Sequence, residues 1–358
     1  VKSPTQVTID TAALRHNLAR VREIAPRSRV MAVIKANAYG HGIETAAAAL
    51  AEADAFAVAR LEEALALRAA GFAHRILMLE GAVDAAQLEA AARARIDLVV
   101  HSDAQIAMLE ARRTADSIRA WIKLDTGMNR LGFRVEEFAG AYERLCAAPG
   151  VAPEPTLVTH LASADEVADP KTQAQLAAFE SATRGLPGAR SIANSAGILA
   201  WPAAHADWVR PGLMLYGISP FPQGSGSDFG LRPVMTFRSG VIAVKTVQPG
   251  ETVGYGGDWR AGRATRLAIV AAGYGDGYPR SVPSGTPVVI DGRQAGVIGR
   301  VSMDMIAVDA TDLQRVAVGD AVELWGDSLA VEEVAHRAGT IPYVLTCAVS
   351  QRVPRVVR

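Results

Sequence analysis

Between residues 29 and 217 the sequence repeats one arrangement eight times: a short, nearly continuous apolar run followed by a longer amphipathic stretch. The runs are RVMAVIKA (29–36), AFAVA (55–59), RILMLE (75–80), DLVVH (97–101), RAWIKLD (119–125), PTLVTHL (155–161), RSIAN (190–194) and DWVRPGLMLYG (207–217). The stretches between them carry helical spacing, as at Leu61, Ala64, Leu65 and Arg68. Strands that are apolar throughout and alternate with helices belong to a parallel sheet covered on both faces. Eight of them in about 190 residues predict an α/β fold that closes as an N-terminal (β/α)8 TIM-type barrel. Ahead of the first run, Thr8 and Ile9 lead into Asp10, which reads as the N-cap of a helix carrying Leu14, Leu18 and Val21 on one face.

The alternation stops at GISPFPQGSGSDFG, residues 217–230, which reads as a linker. Beyond it, VMTFRSGVIAVKTV, RLAIVAAG, TPVVIDGRQAGVIG, MDMIAVDA and DAVELWG are β-rich segments separated by turn residues, and VVIDGRQAGVI has the Asp-Gly signature of a hairpin. With 358 residues, more than one core usually holds, two domains are expected. The barrel is placed at 10–230 and a mainly antiparallel β domain at 231–358, with a strand at about 1–9 packing on the latter.

Lysine plus arginine balance aspartate plus glutamate at 37 each, and no block of like charge occurs, so a nucleic acid or an anionic membrane surface is not the expected partner. No run reaches the roughly 18 apolar residues of a membrane span. The start, VKSPTQVTID, lacks the basic-then-apolar pattern of a secretory signal. Cys146 and Cys347 are far apart and without metal-type spacing, so they read as buried thiols in a reducing cytoplasm, and no metal site is expected. A small-molecule partner is the remaining expectation.

In a (β/α)8 barrel the chemistry sits at the C-terminal ends of the strands. Polar residues fall at that point in five of the runs: Lys35, Lys123 with Asp125, His160, Asn194 and Arg210. Any one alone could be a hydrogen-bonded structural group; their matching positions argue for a shared site. Burial disfavours the charged form of lysine, which makes the neutral amine of Lys35 available to form a Schiff base with a carbonyl. The residues after it, ANAYGHG, allow backbone to approach a ligand and place the Tyr39 hydroxyl four residues on.

AVIKANAYGHG resembles the pyridoxal-phosphate lysine motif of the alanine racemases, barrel-type (fold type III) cofactor enzymes. KLDTGMNRLGF (123–133), THLASAD (159–165), NSAG (194–197), VRPGLMLYG (209–217), VGYGGDW (253–259), GYGDGYPR (273–280), GRVSMDM (299–305) and RVPR (352–355) follow in that family's order and approximate spacing, so the resemblance spans nearly the whole chain. It implies a cofactor, pyridoxal 5'-phosphate, and interconversion of L- and D-alanine for peptidoglycan or for alanine catabolism. It also implies a homodimer with an active site shared between subunits.

By the same resemblance Lys35 binds the cofactor and acts as one of two bases, and Tyr255 is the other, reaching the neighbouring subunit's site. Two bases on opposite faces of one carbon let one remove a proton while the other returns one. A free tyrosine has a pKa near 10, so Tyr255 needs help to ionise; His160 matches the residue that hydrogen-bonds it, with Arg210 beyond. A core histidine is the other reading of His160. Arg210 cannot give up its proton, so it would donate to the pyridine nitrogen and leave it uncharged, where a carboxylate would keep it protonated. The phosphate falls to Tyr39, Ser195, the backbone of Gly212 and Leu213, and Tyr343, with Asn194 and Ser195 opening a helix. Arg130 and Met303 match the pair at the substrate carboxylate. Lys123 matches a lysine carbamylated in many relatives. Asp165, Tyr274, Arg280, Arg300 and Asp304 match a gate at the entrance of the site.

A racemase of broader specificity is the alternative within the class. A decarboxylase of similar architecture would want an acidic residue where Arg210 stands, and a cofactor carrier without turnover would be a single barrel without the β domain.

Overall fold

A computed structural model describes residues 3–113 and 117–358; the first two residues of the strand expected at about 1–9 lie outside them. The chain opens with β1 (Gln6–Ile9) and α1 (Thr11–Ile24). The Asp10 carboxylate accepts a hydrogen bond from the Ala13 amide at 2.9 Å, satisfying one of the free amides at the start of α1. That helix buries Leu14, Leu18 and Val21 together with Asn17. Asn17 is not stranded there: its amide donates to the carbonyls of Leu215 and Arg232 at 3.0 and 2.8 Å and its oxygen accepts from Arg232 N at 2.8 Å.

The barrel strands and helices follow as β2 (Arg29–Val33), α2 (Lys35–Tyr39), α3 (Ile43–Ala49), β3 (Ala55–Val58), α4 (Leu61–Ala69), β4 (Arg75–Met78), α5 (Ala85–Arg93), β5 (Asp97–Val100), α6 (Asp103–Ala111), β6 (Ala120–Lys123), α7 (Val135–Ala147), β7 (Thr156–Val158), α8 (Lys171–Thr183), β8 (Arg190–Ser191), α9 (Ser195–Ala200) and β9 (Trp208–Val209). Each strand pairs in parallel with the next and β9 returns to β2, closing the eight-stranded barrel expected from the apolar runs. The final run is mostly not strand. Pro211 has no amide to give to a ladder, so β9 stops at Val209 and Leu213–Tyr216 form a 3-10 turn.

At the N-terminal end of the barrel, strand-opening side chains form a plug. Asp97 accepts from Trp121 Nε1 at 3.1 Å and pairs with Arg75. The Arg75 guanidinium lies 5.6 Å from the Trp121 and Trp208 rings, and Arg29 lies 4.2 Å from Trp208. Chemistry in barrels of this kind sits at the other mouth.

The remainder of the chain builds an eight-stranded, mainly antiparallel sheet. Its strands are β10 (Met235–Val247), β13 (Thr265–Val270), β14 (Pro287–Ile290), β15 (Arg293–Ile298), β16 (Ile306–Asp309), β17 (Ala321–Trp325) and β18 (Arg355–Val357), joined by β1. A small ribbon, β11 (Thr252–Val253) with β12 (Trp259–Arg260), stands apart. The first part of β10 pairs with β1 and β17; from Val241 onward the strand pairs with β13, with a register shift between Val241 and Ala243. The Asp-Gly hairpin forms: Ile290 faces Arg293, and Asp291 and Gly292 both have positive φ, 48° and 72°. Helices α10 (Val331–Arg337) and α11 (Pro342–Ala348) precede β18, which lies parallel to β1.

One expectation is corrected here, the burial of the two cysteines. Residues 217–230, expected as a linker, are pinned in place. The Glu332 carboxylate on α10 accepts from the Ser219 and Gly226 amides at 2.8 and 2.9 Å, and the Phe221 and Phe229 rings pack 5.0 Å apart. Cys146 and Cys347 are both exposed: Cys146 lies on the outer face of α7, whose buried face is Phe138, Ala141, Tyr142 and Leu145, and Cys347 lies on α11, which buries Leu345 and Thr346 instead.

Candidate active site

Lys35 stands two residues beyond β2, at the first position of α2, and that element is not an ordinary helix. Ala36, Asn37, Ala38 and Tyr39 all have φ between 52° and 54°, one turn of left-handed helix without a glycine. Each such residue costs roughly 1–2 kcal/mol, because its β-carbon crowds a carbonyl oxygen. Fixed contacts hold the turn. Glu63 on α4 accepts from Ala36 N at 2.6 Å and from Ala59 N at 2.9 Å, and Asn37 Oδ1 accepts from Ile43 N at 2.9 Å. The Gly40 carbonyl accepts from Arg355 Nε of β18 at 2.9 Å. At Gly40 itself, with φ 85°, a β-carbon would lie 2.0 Å from the Thr346 carbonyl oxygen, so the β domain presses directly on the lysine loop. Burial, and then the charge of Arg130, hold the Lys35 ammonium below the usual lysine range. A free amine is thereby favoured.

Arg210 follows β9 and is buried. Its Nη1 donates to Ser191 Oγ and its Nη2 to the Thr159 carbonyl, both at 2.6 Å, and Nη2 lies 3.4 Å from His160 Nδ1. Among the described residues no carboxylate pairs with it, and burial alone lowers its pKa, to about 10. A guanidinium only donates, so His160 Nδ1 is the acceptor and the imidazole proton sits on Nε2. Burial, with Arg210 and Lys123 adding to it, holds His160 well below the ordinary histidine value, so the ring is neutral. Lys123 ends β6; burial first, then Arg210 and Arg130, bring its pKa to about 8. Asp125 turns its Oδ1 to the amides of Gly127, Met128 and Asn129 at 2.9, 3.0 and 3.1 Å, shaping the loop that presents Arg130.

A second group of residues forms a polar cradle. Asn194 caps α9, its Oδ1 accepting from Gly197 N at 2.9 Å. The Ser195 hydroxyl accepts from Gly212 N at 3.0 Å, and Leu213 begins the 3-10 turn. A β-carbon at Gly212 would lie 2.6 Å from Tyr39 Oη. The Tyr39 ring packs 4.8 Å from Tyr216 and 5.5 Å from Tyr343. Burial pushes the phenol of Tyr39 well up and that of Tyr343 to about 12, so both stay neutral donors. A free amine, a carboxylate-free guanidinium and a cradle of hydroxyl and amide groups fit the carbonyl, ring nitrogen and phosphate of pyridoxal phosphate.

The residues from the β domain sit differently. Tyr255 occupies a short turn with Gly254, Gly256 and Gly257 at φ 76°, 76° and 61°; the residue is 69% exposed and its hydroxyl has no hydrogen bond among the described residues. Met303 is 53% exposed. Of the expected gate residues, Arg300 pairs with Asp258, and Asp304 pairs with Arg352 at 2.8 Å, which also binds Asp276 at 2.8 Å. Asp276 in turn accepts from Gly273 N at 2.9 Å and so ties the loop bearing Tyr274. Arg280 is exposed and Asp165 half-buried. Asp258, Arg352, Glu63, His41 and Tyr216 were not singled out from sequence. For Glu63 a signal existed, since a glutamate three residues into a helix commonly caps backward.

The family profile "Alanine racemase, N-terminal domain" matches residues 9–220 and "Alanine racemase, C-terminal domain" matches 234–357. An alanine racemase of Nitrosococcus oceani is 52% identical over 351 residues, covering 98% of each chain. One from Yersinia pestis is 50% identical over 353 residues, covering 99% of this chain and 98% of that protein. The crystal structure of biosynthetic alanine racemase from Pseudomonas aeruginosa matches with a TM-score of 0.97 at 46% identity, covering 100% of both chains. The alanine racemase from Bartonella henselae with covalently bound pyridoxal phosphate matches at 0.91 and 31% identity, covering 99% of each.

Proposed function

Because the chain belongs to the alanine racemase family, we propose that it interconverts L- and D-alanine with Lys35 and Tyr255 as opposed bases. It is a pyridoxal-phosphate-dependent racemase. The cofactor, bound through Lys35, supplies an electron sink that acidifies the hydrogen on the α-carbon.

The protein's own groups do the rest. Lys35 Nζ, with its pKa lowered, takes or returns a proton on one face of that carbon. Tyr255 Oη of a second copy of the chain serves the other face. Its 69% exposure in a lone chain, like the exposure of Met303, is what a residue completing another subunit's site requires. With its proton on Nε2, His160 can donate to the Tyr255 oxygen and favour its ionised form, and Arg210 adds positive charge behind it. Arg210 keeps its proton and would meet the ring nitrogen as a donor only, which would limit how much charge the ring draws and favour fast return of the proton.

The Tyr39, Ser195 and Tyr343 hydroxyls with the Asn194, Gly212 and Leu213 segment hold the phosphate, and Arg130 with Met303 of a second copy meets the substrate carboxylate. The lowered pKa of Lys123 supplies the free amine that carbamylation needs, and the resulting anion would fix Arg130. Asp165, Tyr274, Arg280, Arg300 and Asp304 line the approach. The division into a cofactor-binding barrel over 10–230 and a β domain over 231–358, a cytoplasmic location and a supply of D-alanine for peptidoglycan, or a role in alanine catabolism, belong to the same reading. No helix among the described residues is long and apolar enough to cross a membrane.

The observation that carries this reading is the buried, carboxylate-free Arg210 bonded to His160 at the same barrel mouth as Lys35. Incubating the cofactor-loaded protein with L-alanine in deuterated water is the test. Deuterium at the α-carbon together with D-alanine is expected; a yellow protein that exchanges nothing would be a carrier.

A further inference from the structure

Among the described residues, only one side chain bonds to carbonyls inside the left-handed run that follows Lys35. His41 Nδ1 lies 2.9 Å from the Ala38 oxygen and 3.0 Å from the Tyr39 oxygen. Both partners are acceptors, so Nδ1 carries the proton and Nε2 the lone pair. The ring is 1% exposed, and burial keeps it neutral, with a pKa of about 4. It stacks 4.5 Å from Tyr216. Tyr216 in turn donates from its hydroxyl to the Val33 carbonyl at 3.0 Å, just ahead of Lys35, and packs against Tyr39. The stacked pair thus grips the chain on both sides of the lysine. Nε2 makes no hydrogen bond to the described residues, and His41 lines a cavity of about 250 Å³ between barrel and β domain, together with Trp325, Glu332 and Thr346.

We infer that His41 is a positioning residue for the racemase. With Tyr216 it locks the left-handed turn that aims Lys35 into the barrel mouth and sets Tyr39 against Gly212. An imidazole suits this place because it both donates at one ring nitrogen and stacks by its face. An aliphatic side chain would leave two buried carbonyls without this partner, and the strained turn could relax. The inference rests on Lys35 being the cofactor lysine, a reading tested separately by whether Lys35→Ala abolishes the visible cofactor band.

Long-range proton–nitrogen NMR of the wild-type holoenzyme, with the signal assigned through His41→Asn, should show the Nδ1-protonated tautomer. The Nε2-protonated form would overturn the inference whatever the activity. In purified His41→Leu, cofactor affinity by spectroscopic titration should fall about tenfold or more, and kcat by about as much, while the KM for alanine stays within about threefold, since misplacement of a reacting group acts on the chemical step. His41→Asn keeps an N–H at nearly the same place and should recover most of that loss. A folded His41→Leu protein with wild-type cofactor affinity and kcat would refute the role. Should that variant not fold, Tyr216→Phe keeps the stack and removes the bond to Val33; cofactor affinity about threefold or more weaker is expected from loss of one buried hydrogen bond, and unchanged affinity would count against the clamp.

Discussion

The phenol oxygen of Tyr39 fills the space into which a β-carbon on Gly212 would project, 2.6 Å away. The two residues come from opposite ends of the barrel sequence, and their contact closes the cradle assigned to the phosphate. Gly212→Ala should therefore push Tyr39 aside and weaken cofactor binding by about 1–3 kcal/mol, the usual cost of overpacking a filled site. Titration of the cofactor-free variant, read by absorbance, checks this. Wild-type affinity would mean that Tyr39 moves freely.

Mixing Lys35→Ala with Tyr255→Phe tests whether one site draws on two chains. Each variant alone should lose about 10²-fold or more in kcat, the usual contribution of a general base. Subunits exchanged by mild denaturation and refolding should regain about one working site per mixed dimer if the bases act from separate chains. No recovery in a mixture shown by mass spectrometry to contain mixed dimers would place both bases in one chain.

Ala36 is exposed and left-handed, with φ 52° and ψ 51°. In an ordinary helix Ala→Gly costs about 1 kcal/mol. Here the sign should reverse, because glycine meets no penalty at positive φ: Ala36→Gly is expected to leave stability unchanged or raise it by about 1 kcal/mol. Urea denaturation of the cofactor-free protein measures it, and a loss of the ordinary size would show that the turn is right-handed in solution.

Lys123 has a folded pKa of about 8 against an ordinary 10.5. Below pH 8 it is charged in both folded and unfolded states and the folded protein bears the full burden of its burial. As pH rises from 8 towards 10.5 the unfolded chain binds more protons, so folding stability rises, by on the order of 3 kcal/mol for this group alone. Lys123→Met should remove that gain. The comparison is made between wild type and variant by urea denaturation at pH 8 and 10 in bicarbonate-free buffer; equal slopes would leave Lys123 without a lowered pKa.

The barrel was legible because parallel strands buried on both faces are apolar at every position, and because a polar residue ending such a strand has little reason to be there except the site. Lys123 ends its strand, and Lys35, His160, Asn194 and Arg210 each follow one within three residues. The left-handed turn was not legible. Ala36, Asn37, Ala38 and Tyr39 include no glycine, and local preference argues for right-handed backbone; contacts from Glu63, His41 and Arg355, distant or unremarkable in sequence, help to hold the other hand. Ion pairs such as Arg300 with Asp258 and Asp304 with Arg352 were equally hidden, since any of many arginines satisfies an aspartate on paper. Cys146 and Cys347 were misjudged because composition does not say which side of a helix faces outward.

Arg355 holds the carbonyl of Gly40 across 315 residues of sequence. A closure of that length forms late, since the entropy of joining distant segments must be met before the contact returns anything. In a refolding experiment, helical dichroism from the barrel should accordingly return ahead of competence to capture cofactor, and the interval between them is the time the β domain takes to settle over the lysine loop.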